Sequence, residues 1–296
     1  MSGYVRRPDW LKLSPLDSRV LGPMRRLALD LGLHTVCESA RCPNRADCFG
    51  RGTAAFMILG DTCTRHCTFC AVKKGCPQDP DPHELEHVAE AISILKLDYV
   101  VITSVARDDL PDGGASHFAR TVKAIHDYSR AVAVEVLIPD FGGLQSALEC
   151  VVAAQPAVLN HNLETVPRLY PEVRPQADYR RSLEVLSRGK LLDDGLLTKS
   201  GIMLGLGEAR QEVVELMTDL RQAGCDILTI GQYLPPSLEH HQLVRYVSPE
   251  EFVDYRNLGT DMGFASVFSG PLVRSSFHAA ETYILTTRKE SHSSGR

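Results

Sequence analysis

Seven short, nearly continuous apolar runs mark this chain from residue 54 onward, and longer amphipathic stretches separate them. The runs are Ala54–Leu59, Tyr99–Val105, Val132–Ile138, Val158–Leu163, Gly201–Leu206, Ile227–Tyr233 and Ala265–Phe268. The stretches are Glu84–Leu97, His117–Ser129, Leu144–Ala153, Tyr179–Ser187, Glu208–Ala223 and Pro249–Met262. Runs that do not alternate apolar and polar residues suit parallel strands covered on both faces. About six βα units result, and no Gly-x-Gly-x-x-Gly follows the first run, so a barrel fits better than an open dinucleotide sheet. The expected architecture is α/β, a partial (β/α)6-type TIM barrel over residues 53–270. An N-terminal extension (1–52) and a C-terminal segment (271–296) flank it. One helix, Leu16–Leu31 interrupted at Gly22 and Pro23, is expected in the extension, and the Ser-rich tail Thr286–Arg296 reads as disordered.

In a parallel barrel the site lies at the C-terminal ends of the strands. The first run ends at Leu59, and four residues later begins Cys63-Thr-Arg-His-Cys67-Thr-Phe-Cys70. Three thiolates this close hold three corners of a cubane and leave the fourth iron open to a ligand. The alternative is a zinc knot completed by His66 or Cys76, although zinc prefers four closed ligands drawn from separated pairs. Upstream stands a second triplet, Cys37-Glu-Ser-Ala-Arg-Cys42-Pro-Asn-Arg-Ala-Asp-Cys48. Buried thiols often act as small hydrophobes, but Glu38, Arg41, Asn44, Arg45 and Asp47 make this segment too polar for a core. Two three-ligand sites follow.

Nine cysteines in 296 residues is an odd number in a chain that needs no staples, so a reducing compartment is expected, with Cys150 and Cys225 as packing residues and Cys76 unligated. Met1–Leu13 lacks the apolar run of a signal peptide, and the most apolar stretch, Ala131–Ile138, is only eight residues long and holds Glu135. A cytoplasmic protein without a membrane span is expected. The net charge of −5 and pI of about 6.1 argue against nucleic acid as a partner.

The Cys63–Cys70 spacing is the signature of radical S-adenosylmethionine enzymes. Together with the upstream triplet and Arg274-Ser275-Ser276, it resembles the lipoyl synthase family. The resemblance runs from about Val36 to Ala280, through Phe56-Met-Ile-Leu-Gly-Asp-Thr-Cys63, Val105-Ala-Arg-Asp-Asp-Leu-Pro-Asp-Gly-Gly114, Asn160-His-Asn-Leu-Glu-Thr165, Thr198-Lys-Ser-Gly-Ile-Met-Leu-Gly-Leu-Gly-Glu208 and Gly270-Pro-Leu-Val-Arg-Ser-Ser276. It implies two 4Fe–4S clusters: the radical-generating one on Cys63, Cys67 and Cys70, and an auxiliary one on Cys37, Cys42 and Cys48 with Ser276 as the further ligand. An oxygen ligand is a poor match for an iron–sulfur site and suits an iron that is meant to leave. Taken alone, Ser276 reads as a surface or capping hydroxyl. Arg274 either orients Ser276, complements the cluster's charge or forms a surface ion pair. Phe277 departs from the family, where Tyr is expected.

The same resemblance implies insertion of two sulfur atoms at C6 and C8 of an octanoyl-lysine on a lipoyl carrier domain, either the glycine-cleavage carrier or a dehydrogenase acyltransferase. Saturated C–H bonds call for a radical supplied by a cofactor. S-adenosylmethionine, a ferredoxin or flavodoxin reductant and an iron–sulfur carrier for cluster repair are implied as well. Polar residues at otherwise apolar strand ends face the mouth of a barrel. Thr103, Ser104, Glu135 and Asn160 fit that description, the first two toward the methionine end of the cofactor and the others toward its ribose. Strand-end capping explains each equally well. Arg107–Gly114 reads as a turn-rich loop or as part of the mouth. The rivals are a methylthiolating radical enzyme, which would bring a further domain after Gly270, and a non-catalytic zinc scaffold or iron–sulfur carrier.

Overall fold

The computed structural model describes residues 6–12, 18–50 and 55–293. The strands are β1 (His34–Thr35), β2 (Ala55–Ile58), β3 (Thr62–Cys63), β4 (Lys73–Lys74), β5 (Tyr99–Ser104), β6 (Ala133–Leu137), β7 (Val158–Asn160), β8 (Leu197–Leu204), β9 (Ile227–Gln232) and β10 (Ser266–Gly270). The helices are α1 (Ser18–Asp30), α2 (Val36–Ser39), α3 (Arg45–Gly50), α4 (Glu84–Leu95), α5 (Ala115–Tyr128), α6 (Gln145–Ala153), α7 (Tyr170–Val173), α8 (Tyr179–Leu192), α9 (Arg210–Gln222), α10 (Pro249–Asp261) and α11 (Ala279–Ser293).

Each of the seven apolar runs becomes a parallel strand, and the sheet order is β1-β2-β5-β6-β7-β8-β9-β10. Only β1 runs antiparallel, pairing His34 with Met57 and Thr35 with Phe56. The sheet is open, since β1 pairs with β2 alone and β10 with β9 alone. Adjacent strand ends are in register, with Ile58 beside Ser104, Leu137 beside Asn160 and Met203 beside Gly231. Val100, Val101, Ile102, Val134, Val136 and Leu159 are wholly buried, as strands covered on both faces must be. Gly189 lets α8 approach β7, because a Cβ there would stand 2.4 Å from Leu159 Cδ2.

Several expectations are corrected. Helix α1 continues through Pro23, because burying Leu21, Met24 and Ala28 outweighs the loss of one helix hydrogen bond. Strand β8 begins at Leu197, four residues before the apolar run, because Lys199 and Ser200 are buried inside the protein. The tail from Thr286 is helical as far as Ser293. Thr286 is buried and donates to Ser266 Oγ at 2.9 Å, while Tyr283 packs on Tyr99 and on Val158, Leu197 and Ile227. Those residues begin their strands, so α11 closes the N-terminal end of the barrel. Cys150 is exposed rather than packed, on the outer face of α6, whereas Cys225 is fully buried. The expected boundary between residues 52 and 53 and the last residues of the tail, 294–296, lie outside the described residues.

Candidate functional site

The turn leaving β2 is fixed before the first cysteine of its loop is reached. Leu59 adopts a left-handed φ of 68°, its N–H donates to the Glu84 carboxylate at 2.8 Å, and Glu84 also meets His117 Nε2 at 2.7 Å. Next, β3 and β4 pair in parallel and fold the Cys63–Cys70 loop back on itself. Three barrel loops then hold it. Arg65, 8% exposed, bonds to Asp108 after β5 at 2.7 and 2.8 Å and to Asp140 after β6 at 2.6 Å. After β7, Val173 O accepts from Thr68 N at 3.0 Å and Gln176 Oε1 from His66 N at 2.6 Å.

Cys63 Sγ accepts two backbone N–H bonds, from Arg65 at 3.4 Å and Ala106 at 3.3 Å. Burial pushes the Cys70 thiol up to about 12, with Cys67 and Cys63 adding to the shift; Cys67 is raised chiefly by burial too, while the Arg174 guanidinium pulls it back. Among the described residues no three His, Cys, Asp or Glu side chains converge on a point that would hold a single ion. A cubane takes each thiolate on a different iron and sets no such requirement.

The upstream triplet is built on two short helices. Thr35 Oγ1 caps α2 by accepting from Glu38 N at 3.3 Å, and Cys37 lies buried in that turn, its thiol pushed up to about 12 by burial and by Cys42. Asn44 Nδ2 donates to Leu272 O at 2.6 Å, and His278 Nε2 stands 3.4 Å from Asp47 Oδ2. These contacts join the two open edges of the sheet: one segment leaves β1, the other leaves β10.

Between them lies the Arg-Ser-Ser segment. Arg274 is half-buried, its guanidinium pKa pushed down by desolvation while Cys42 and Glu164 pull it up. Ser275 Oγ accepts from Asn160 Nδ2 at 2.7 Å and donates to Asn162 Oδ1 at 2.9 Å. The Ser276 hydroxyl is half-buried and has no hydrogen-bond partner among the described residues.

The strand-end residues divide. Ser104 Oγ is buried at the end of β5 without a partner. Thr103 Oγ1 donates to Leu137 O at 2.9 Å, which is strand-to-strand capping. Glu135 lies in the middle of β6 and does not reach the mouth. It is fully buried and held by Lys199 Nζ at 3.0 Å from both oxygens, by Tyr99 at 2.5 Å and by Asn160 Nδ2 at 2.7 Å. Because a carboxylate only accepts, the Asn160 amide orientation follows, and its Oδ1 is left buried without a partner.

Sequence reasoning missed four residues here. Glu164 has a left-handed φ of 65° and accepts from Asn162 Nδ2 at 3.0 Å. Its charge raises the pKa of the Cys67 and Cys70 thiols and of the Arg274 guanidinium, and Asn162, which donates to it, also accepts from Ser275. Arg174 is buried beside Cys67, and its bonds go only to neutral acceptors, Asn162 O, Leu163 O and Tyr170 Oη. His161 donates Nδ1–H to Ile138 O at 2.8 Å and leaves Nε2 buried and unpaired. Lys199 alone left a signal in the sequence, a charge within a barrel strand.

The residues fit the groups that the cysteines imply. The Cys63 sulfur, with two backbone N–H groups aimed at it, suits a cluster ligand, and the orphaned Ser104 Oγ, Asn160 Oδ1 and His161 Nε2 suit a polar cofactor at the strand ends. This parallel barrel with its three-cysteine loop defines a radical S-adenosylmethionine protein, and the sequence model of the Radical SAM superfamily matches residues 57–220. Solved structures of HydG, a maturase of the FeFe-hydrogenase, and of methylornithine synthase share the fold, with TM-scores of 0.58 and 0.55 at 14% identity each; they cover 95% and 83% of this chain and 72% and 81% of their own. Among curated proteins, lipoyl synthase of Caldanaerobacter subterraneus is 56% identical over 93% of this chain and 96% of its own length. That of Caldicellulosiruptor saccharolyticus is 52% identical over 94% and 98%. The chain belongs to the lipoyl synthase family.

Proposed function

We propose that this chain inserts two sulfur atoms at C6 and C8 of an octanoyl group carried on a lysine of a lipoyl carrier domain. The supporting observation is that both cysteine segments are tied to the strand-end side of the barrel: Arg65 of the first bonds to Asp108 and Asp140, while Asn44 of the second bonds to Leu272, next to the Arg-Ser-Ser segment that Asn160 holds through Ser275. When bound, the cofactors supply a carbon-centred radical from S-adenosylmethionine and sulfur from a sacrificial auxiliary 4Fe–4S cluster.

Residues 1–52, 53–270 and 271–296 act as the auxiliary-site extension, the radical barrel and the closing segment. In this reading Cys63, Cys67 and Cys70 hold one 4Fe–4S cluster, and Cys37, Cys42, Cys48 and Ser276 hold the other. Arg65 keeps the first loop against Asp108 and Asp140. Arg174 and Arg274 balance the charge of the two sites, each beside one of their cysteines. Ser104 and Asn160 Oδ1 receive donors from S-adenosylmethionine. Thr103 and Glu135 support them from below, Thr103 through the Leu137 carbonyl and Glu135 through the Asn160 amide.

Inertness of the octanoyl C–H bonds demands a dry, enclosed interior, which α11 secures from below. Among the described residues no helix is long and apolar enough to cross a membrane, consistent with a cytoplasmic enzyme. Its partners in this reading are octanoylated carrier domains, a ferredoxin or flavodoxin reductant and an iron–sulfur carrier. The test is Cys37→Ala/Cys42→Ala/Cys48→Ala, assayed anaerobically with an octanoyl-lysyl peptide, dithionite and S-adenosylmethionine and read by mass. Cofactor cleavage persists and no sulfur enters the peptide; a thiolated product from this variant would refute the sulfur-donor role.

A further inference from the structure

The two serines of the Arg-Ser-Ser segment are held differently. Ser275 Oγ is held on two sides, accepting from Asn160 Nδ2 and donating to Asn162 Oδ1. The direction of these bonds is forced from both ends. Glu135, an acceptor only, claims the Asn160 amide, and Glu164, also an acceptor, claims Asn162 Nδ2 at 3.0 Å. Lys199, bonded to both Glu135 oxygens, secures one end of the chain. Two bonds already hold this hydroxyl in place, its proton given to Asn162 and one lone pair to Asn160, whereas Ser276 makes none among the described residues.

An independent feature grips the same segment from β9. Gly231 permits a backbone approach that no other residue allows, because a Cβ there would stand 2.0 Å from Val273 O and 3.3 Å from the Arg274 guanidinium. Gln232 N–H also donates to Pro271 O at 3.3 Å. Residues 271–275 are thus seated on β9 and pinned through Ser275 to the end of β7.

We propose that Ser275 is the anchor of this segment: bonded to Asn160 and Asn162, just after Val273 and Arg274 pass over Gly231, it fixes the direction in which Ser276 presents its hydroxyl. Ser275 is a positioning residue, and the inference rests on the reading of Ser276 as a ligand of the auxiliary site.

The experiment measures hydrogen–deuterium exchange of peptides spanning residues 272–278 in the anaerobically reconstituted protein, together with 5′-deoxyadenosine release and sulfur insertion. Ser275→Ala speeds exchange in that segment by about tenfold, the opening expected from losing its two part-buried hydrogen bonds, and abolishes sulfur insertion while 5′-deoxyadenosine release persists. Ser275→Thr, which keeps the hydroxyl, restores both. Gly231→Ala, which displaces the same segment from the other side, gives the result of Ser275→Ala. Unchanged exchange in Ser275→Ala overturns the anchor, and so does faster exchange with wild-type sulfur insertion. Ser276→Ala separates the two ideas: it loses insertion without faster exchange. Wild-type insertion in Ser276→Ala refutes the ligand reading, and the exchange rates of Ser275→Ala then decide the anchor by themselves.

Discussion

Asn44 and Leu272, 228 positions apart in sequence, are joined by a 2.6 Å hydrogen bond from the Asn44 side-chain amide to the Leu272 carbonyl. Asn44 lies between the second and third cysteines of the upstream triplet, and Leu272 lies two residues before Arg274. The bond bridges the two unpaired edges of the sheet and brings the ends of the chain to one site. Asn44→Ala leaves a part-buried carbonyl without its donor, at a cost of about 1 kcal/mol. Melting falls by several degrees, and reconstituted iron drops from about eight toward about four per chain as the auxiliary site loosens. Iron content equal to wild type would sink this prediction.

Lys199 and Glu135 form an ion pair with both side chains at 1% exposure or less. Lys199→Met strands a buried carboxylate and costs roughly 3–5 kcal/mol. Lys199→Met/Glu135→Gln recovers most of that loss, because the amide oxygen still accepts from Asn160 without carrying a charge. Urea midpoints of the three proteins give the comparison; a double variant no more stable than the single one contradicts it.

His161 titrates far below its ordinary 6.5, at about 4, because burial and then the Arg174 charge disfavour its cation. As pH falls from 6.5 toward 4 the unfolded chain binds a proton that the folded chain refuses, so stability is lost across that window. The loss approaches about 3 kcal/mol at the lower end. His161→Gln flattens the dependence of the urea midpoint on pH between 7.5 and 5. Parallel slopes for variant and wild type would exclude His161 as the source.

Thiol reactivity in metal-free protein follows burial. Cys76 and Cys150 are exposed, whereas burial pushes the thiols of Cys37, Cys70 and Cys225 up to about 12. At pH 8 a thiol of that kind is ionised in roughly one molecule in ten thousand. N-ethylmaleimide labelling followed by peptide mass mapping finds Cys76 and Cys150 modified first and those three last. Early modification of Cys37 or Cys70 would contradict the enclosed geometry.

Much of the barrel was legible because its signals are local. Apolar runs such as Tyr99–Val105 and Ile227–Tyr233 need both faces covered wherever they fold, and three cysteines within eight residues meet in almost any loop. Lys199 shows where that reasoning stops: a lysine in a strand reads as a boundary until Glu135, 64 positions away, is seen to face it. Cys150 misled for a related reason, since the apolar residues around it on α6 pack inward while it faces out. Glu135 was placed at the mouth by its polarity alone, and its register beside Val158 puts it in the strand's interior.

The sequence by itself determined the alternation of strand and helix, the two cysteine triplets and, through its motifs, the family. Those properties rest on spacing within a few residues. Only the tertiary structure decided that Ser275 is bound by Asn160 and Asn162 while Ser276 has no partner among the described residues, that Asn162 joins Glu164 to Ser275, and that Asn44 holds Leu272. Each of these depends on which strand ends become neighbours when an open parallel sheet curves. That curvature is set by the packing of the whole barrel, and no short stretch of sequence encodes it.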